Sequence, residues 1–338
     1  HCPDKRYLML DRREQFGGTW DLFRYPGVRS DSDMYTLGYS FRPWTAAKAI
    51  ADGPSILQYI RDTARDHDLG RHIRYGHQVR RASWSSAESR WTVEIEKGPG
   101  REPVRITCDF LFVCGGYYRY EQGYTPDFPG VERFAGRIVH PQKWTSDIDY
   151  ANKRVVIIGS GATAVTLVPA MAQTAAHVTM LQRSPTYVVA RPAQDVLANW
   201  LNRHLPAKLA YGITRWKNVL MGMFFFRMAK RKPERVKQLM IDGVRQALGP
   251  DFDVQKHFTP NYKPWDQRVC LVPDADLFTA IRKGRASVAT DQIETFTETG
   301  LKLKSGEDLA ADIIVTATGL VLQPLNGLTL TVDGRAIE

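Results

Sequence analysis

The stretch K-R-V-V-I-I-G-S-G-A-T-A, residues 153–164, restricts the chain to few folds. An apolar run at 155–158 has the length of a buried strand, glycines follow one residue apart, and a second apolar run at 165–171 reads as a helix. Strand, tight glycine turn and helix in that order form the dinucleotide-binding arrangement, in which backbone N–H groups and a helix N-terminus face a pyrophosphate. Gly159, Ser160, Gly161, Ala162, Thr163 and Ala164 are therefore the expected phosphate cradle. A bare G-x-G-x-x-A match is weak evidence, and the flanking strand and helix make it strong.

The next expected strand, residues 177–181, ends in Gln182, Arg183 and Ser184. A unit that binds NAD carries an acidic residue there for the ribose hydroxyls, whereas a guanidinium and a hydroxyl suit a 2′-phosphate, so NADP is the expected cofactor. The plainer alternative is that Arg183 faces solvent at a strand end.

The chain opens with residues 7–10, which read as a buried strand ending in Asp11, the place of the acidic residue that takes an adenosine ribose. On that reading a first strand and its G-x-G-x-x-G turn, a piece of about 30 residues, precede His1. Paired glycines, Gly17 and Gly18, come next with Thr19, Trp20 and Asp21, followed by the extended loop Y-P-G-V-R-S-D that contains Arg29, Ser30 and Asp31. Residues 54–68 read as a helix with Ile56, Leu57, Ile60 and Ala64 on one face, and residues 73–79 as a strand whose Val79 presents its backbone to an adenine. Alternating apolar residues at 91–95 and 104–106 form a meander, and the run 110–113, ending in Cys114-Gly115-Gly116, is expected as a buried parallel strand. A weaker copy of the plan covers 293–303 and 313–319, and the chain reaches Glu338 inside an expected hairpin.

Length and charge narrow the partners. The 338 residues suffice for two cores, and a net charge of +10 without any nucleic-acid motif points to phosphate-bearing cofactors. Cys2, Cys108, Cys114 and Cys270 form no C-x-x-C pair, which fits a reducing, cytoplasmic setting and argues against a dithiol reductase; the eight histidines show no metal spacing. Residues 191–265 turn helical, and 219–226 followed by a basic run to 237 has two readings: a core helix with a solvated end, or peripheral membrane contact through 219–237. Its apolar length falls short of the ~18 residues a span needs.

Phe134, Gly136, His140 and Trp144 lie in F-A-G-R-I-V-H-P-Q-K-W, which matches the F-x-G-x-x-x-H-x-x-x-W signature of the Baeyer–Villiger flavin monooxygenases. The chain resembles that family over nearly its whole length, through G-G-T-W-D at Gly17, R-Y-P-G-V-R-S-D at Arg24, W-D-Q-R at Trp265 and T-A-T-G at Thr316, and departs from it at Thr145, where Pro or Asp is usual. The resemblance implies an α/β fold of two dinucleotide-binding (Rossmann-like) domains, one for FAD and one for NADP, with a helical insertion. The corresponding segments are 1–140 for FAD, 141–190 and 266–319 for NADP, 191–265 for the insertion that shapes the substrate pocket, and 320–338 for the return to the FAD domain. It also implies NADPH-dependent monooxygenation of ketones or of thioamide and sulfide sulfur through a peroxyflavin. Arg268 matches the family's essential arginine, with Asp31 to orient it, residues 17–21 along the flavin nucleotide, the 24–31 loop past the two reacting rings, and His140 as a hinge. Two alternatives stand beside this: an N- and S-oxidising flavin monooxygenase, whose signature usually ends in Tyr, and a truncated NADP-binding fragment without activity.

Overall fold

The computed structural model describes residues 4–337; Cys2, His1 and Glu338 lie outside them. The chain divides into two compact units, one of His1–Leu22, Leu57–Gly123 and Leu320–Glu338, the other of Phe23–Ile56 and Tyr124–Gly319. Residues 23–56 and 124–140, assigned to the FAD segment from sequence, thus cluster with the second unit.

In that second unit five strands form one sheet in the order Ala286–Thr290, His177–Gln182, Arg154–Ile158, Ile313–Thr316, Arg137–Val139, and every pairing is parallel. Strands buried on both faces read as continuous apolar runs, which is why 155–158 and 313–315 show no alternation. One face packs the helix Ala162–Met171 through Leu167, Val168 and Met171 against Ile157, Val178 and Val315. On the other face the antiparallel meander Ile293–Thr297, Gly300–Leu303, Asp308–Ala310 lays Phe296, Leu301 and Leu303 over Val156, Ile158 and Ile314. Ile241, Val244 and Leu248 of the helix Pro233–Leu248 join the first of these cores, so part of the 191–265 segment is built into the nucleotide-binding layer.

The long helix Ala207–Arg231 overturns the reading of 219–226 as core. Leu220, Met221, Met223, Phe224 and Phe226 are all exposed, as are Trp200 and Leu239, while Ala210, Thr214 and Ala229 are buried. The helix is held to the unit by polar groups on its inner side, which leaves its bulky apolar residues outward.

The first unit is built on the meander His77–Ser85, Arg90–Lys97, Glu102–Cys108, with Ala82, Val93 and Ile95 at its centre. Thr329–Val332 adds in parallel beside His77–Ser85, and Asp333 and Gly334, both at positive φ, turn it into Arg335–Ala336, the expected hairpin. Three sequence expectations fail here. The 7–10 strand shrinks to Met9–Leu10, paired with Ile73–Arg74, and Tyr7 and Leu8 are exposed. The 73–79 strand breaks at Gly76, at φ +64°, before resuming at His77. Residues 110–113 form no strand: they pair with no neighbouring strand among the described residues, Leu111 alone packs on the core of Ala82, Val93 and Ile95, and Phe110 and Phe112 stand 77% and 78% exposed.

Phe296 is fully buried, 5.3 Å from the Phe128 ring and 6.4 Å from that of Phe134. Phe296→Ala is expected to lower stability by about 3–5 kcal/mol, read as a shift of the denaturant midpoint; a change within error would mean that this face of the sheet is not load-carrying core.

Candidate functional site

Because the five strands are parallel, their C-terminal ends share one edge of the sheet, and the crevice outside that edge, at the point where the strand order reverses, is where α/β folds bind nucleotides. The reversal falls at Arg154–Ile158, with His177–Gln182 on one side and Ile313–Thr316 on the other. Ile158 pairs with both Leu181 and Thr316, so the residues after each strand meet at one level. Gly159 sits at φ +135°, and a Cβ there would lie 2.4 Å from the carbonyl oxygen of Ala317, so only glycine fits the turn. Gly161 caps the helix Ala162–Met171 without any side-chain hydrogen bond, which leaves the first-turn N–H groups of Ala162, Thr163 and Ala164 as donors for a bound anion. The residues present therefore fit a dinucleotide pyrophosphate. Ser160 points the other way, its Oγ 2.9 Å from Thr186 Oγ1.

At the end of the next strand Arg183 and Ser184 are exposed and open to a ligand. Gln182 is buried, its Nε2 donating to His257 O at 2.7 Å and to Thr290 Oγ1 at 2.9 Å, so its side chain is committed to packing.

Arg268 directly precedes Val269–Pro273, a strand paired in parallel with Tyr187–Arg191. Its Nη1 lies 3.2 Å from where a Cβ on Gly161 would stand, at the mouth of the glycine turn. Two tyrosines fix the backbone here: Tyr262 donates its hydroxyl to Arg268 O at 2.9 Å, and Tyr187 donates to Tyr262 O at 2.6 Å. Neither was identified from sequence, where the one available signal was the position of Tyr262 just before W-D-Q-R. The neighbouring Cys270 thiol is pushed up to about 11, chiefly by burial, with the Arg268 charge pulling it down and the Asp31 charge pushing it up. Both charges thus act on one buried sulfur. Burial raises the Tyr25 phenol against the opposing effects of its hydrogen bond with Thr163 and of Arg29.

The 24–31 loop is anchored from within. Arg29 Nη1 meets Asp276 Oδ2 at 2.5 Å, and Ser30 is buried, its Oγ accepting from Ala51 N at 3.2 Å. Asp31 accepts from Ser32 Oγ at 3.3 Å, and no ion pair joins it to Arg268 among the described residues. Asp266 of W-D-Q-R pairs with Lys230 at 2.7 Å.

The signature segment packs at the edge strand. Phe134 is buried against Phe296, a Cβ on Gly136 would lie 2.5 Å from Asp312 O, and Trp144 sits edge-on to Tyr150 at 6.1 Å. His140 follows Arg137–Val139 and caps the short helix Pro141–Lys143. Its Nδ1 accepts from Gln142 N at 3.2 Å, so Nε2 carries the proton and donates it to Gly319 O at 3.1 Å. The same carbonyl accepts from Tyr124 N at 3.1 Å, and Tyr124 and Gly319 are the first and last residues of this unit's longer stretch. Both ring nitrogens are thus occupied, which suits a latch better than an acid or base.

In the first unit Gly17 sits at φ +125°, where a Cβ would lie 2.5 Å from Leu57 Cδ1. Trp20 starts a turn by donating its N–H to Gly17 O, and Thr19 Oγ1 lies 2.8 Å from Tyr118 Oη. Asp21 is buried and paired with Arg13, whose N–H also donates to Asp11 Oδ1 at 2.9 Å; Val79 lies beside a register shift in its strand. The described residues of this unit contain no second glycine turn like 159–164.

The chain matches the family model described as flavin-binding monooxygenase-like over residues 49–324. It is 55% identical over 338 residues to the FAD-containing monooxygenase EthA of Mycobacterium tuberculosis (strain ATCC 25618 / H37Rv), covering 100% of this chain and 69% of that protein. Among solved structures it is similar to an oxidised steroid monooxygenase bound to NADP, with TM-score 0.79 at 23% identity over 97% of this chain and 70% of that one. A cyclohexanone monooxygenase in an open form gives TM-score 0.76 at 20% identity over 94% and 69%. These likenesses bear out the α/β fold.

Burial holds the His140 imidazole below its ordinary value, and the Gly319 hydrogen bond offsets this only in part. The unfolded chain therefore takes up this proton at higher pH than the folded one, and stability falls as pH drops below about 6.5 toward the depressed value. Thermal melts should show this loss in the wild type and less of it in His140→Gln; parallel curves would remove the latch from the argument.

Proposed function

The chain belongs to the flavin-binding monooxygenase-like family, and on that premise we propose that it uses FAD and NADPH to insert one oxygen atom of O2 into ketones, giving esters or lactones, or to oxidise thioamide and sulfide sulfur. A monooxygenase is what the family establishes; the substrate class and residue roles are the proposal. Contact of residues 219–237 with a lipid surface, where apolar substrates concentrate, is part of it.

Bound FAD, once reduced by NADPH, supplies the activation of O2. The rest falls to the side chains. Gly159 and the N–H groups of 162–164 hold the NADP pyrophosphate, and Arg183 with Ser184 holds its 2′-phosphate. Asp11 and residues 17–21 lie along the FAD nucleotide, whose own pyrophosphate turn is not among the residues of this chain. Arg268 supplies a fixed positive charge, which would stabilise the carbonyl oxygen as it gains negative charge on being attacked.

One observation carries this reading: the Arg268 guanidinium stands 3.2 Å from the Cβ position of Gly161, at the nucleotide turn, without a paired carboxylate among the described residues. A salt-bridged arginine would have its charge already spent.

Arg268→Ala should cut ester or S-oxide formation by about 10²–10³-fold while NADPH binding, read by fluorescence, persists. Product at near-normal rate would sink the assignment. Arg183→Ala should weaken NADPH binding and leave NADH binding unchanged; equal loss of both, or of neither, would remove the 2′-phosphate role. The flavin absorbance of the purified protein tests FAD directly.

A further inference from the structure

The helix Ala207–Arg231 is inverted with respect to its unit. Inward it sends polar groups: Arg215 Nη1 donates to Thr36 O at 2.6 Å, Asn218 Nδ2 donates to Asp33 Oδ1 at 2.9 Å, and Lys217 pairs with Asp195. Outward it presents Leu209, Ile213, Trp216, Leu220 and Phe224, spaced four, three, four and four residues apart, which is one continuous helical stripe. Trp216 is 65% and Phe224 61% exposed, and Trp200 on the neighbouring helix Val196–His204 adds 52%. A stripe of this size does not face water without a partner.

Charge selects the partner. Between Asp195 and Glu234 the chain has eight Lys and Arg and no Asp or Glu. Arg215 and Lys217 are spent inward and Lys230 pairs with Asp266, which leaves Arg203, Lys208, Arg227, Arg231 and Lys232 around the stripe. The nearby acids Asp33 and Asp195 are capped by the helix's own Asn218 and Lys217. Large aromatic and aliphatic side chains bordered by basic residues are the makeup of a helix lying in a bilayer interface. No helix among the described residues is long and apolar enough to cross a membrane, so the helix lies on the surface.

We propose that the outward face of Ala207–Arg231, with Trp200, docks onto an anionic lipid surface. This deepens the lipid contact named above, defining its face and its charge, and it is read without turnover, so it stands or falls apart from the oxygenase chemistry.

The test is co-sedimentation of the protein with vesicles rich in phosphatidylglycerol and with vesicles of phosphatidylcholine alone. Binding should be stronger to the anionic vesicles, fall with added salt, and survive Arg268→Ala. Removing two flanking charges in Arg227→Ala/Arg231→Ala should weaken it about thirtyfold, and Trp216→Ser/Phe224→Ser should abolish it with an unchanged melting temperature. Absence of binding, or equal binding to both vesicle types, would overturn the proposal. So would a lowered melting temperature in the Trp216/Phe224 variant, which would mean that protein covers the stripe, or a dimer in sedimentation velocity that the same variant dissociates, which would make the partner a second copy.

Discussion

The backbone of Gly159 passes so close to the carbonyl of Ala317 that no side chain fits between them. That approach is forced by parallel register: once Ile158 pairs with Thr316, the next residue of each strand has nowhere to go but alongside the other. The glycine turn and the T-A-T-G segment are thereby held at one level of the sheet edge. Parallel pairing of the remaining strands then sets 182–184 on one side and His140 on the other at the same edge. Local chemistry of the sequence, a strand followed by Gly-x-Gly, becomes a site because the sheet has a single direction.

Arg268 reaches that edge by a separate route. The two-stranded ladder of Tyr187–Arg191 and Val269–Pro273 starts the second strand at the right height, and Tyr262 and Tyr187 grip the main chain. The grip is on the carbonyl of Arg268, not on its guanidinium, so the loop is positioned without using up the charge. Arg29 and Arg154 show the contrasting case, each closed onto a carboxylate, Asp276 or Asp312. A site that must stabilise transient negative charge needs the first arrangement, because a pre-paired cation offers little further field. Asp31 is hydrogen-bonded to Ser32 and forms no ion pair with Arg268 among the described residues.

What was legible in the sequence follows from the range of the forces involved. The 153–164 segment was readable because strand, turn and helix are local and glycine is dictated by backbone geometry. The 110–113 run carried the same apolar signature and failed, since a strand exists only if another lies beside it, and no local pattern reports a neighbour. Gln182 was grouped with Arg183 by position, yet it is drawn into the core by a carbonyl 75 residues away along the chain, that of His257. For the helix Ala207–Arg231 the periodicity gave a face but not its sense. The inner side was decided chiefly by Asp33, whose partner Asn218 sits on the helix face opposite the large apolar stripe, while Lys217, paired with Asp195, flanks that stripe.

The end of that helix also bears on the site. Trp265, three residues before Arg268, has φ +64°, a conformation that costs a bulky residue on the order of 1–3 kcal/mol unless its surroundings hold it. Two contacts do so, both from the last turns of the helix: the Phe226 ring edge-on to Trp265 at 6.3 Å, and Lys230 on Asp266 at 2.7 Å. The strained loop is therefore propped from one side by the helix and from the other by Tyr262. The Arg268 side chain beyond it is exposed, and the hydrogen bond from Tyr262 falls on its backbone carbonyl.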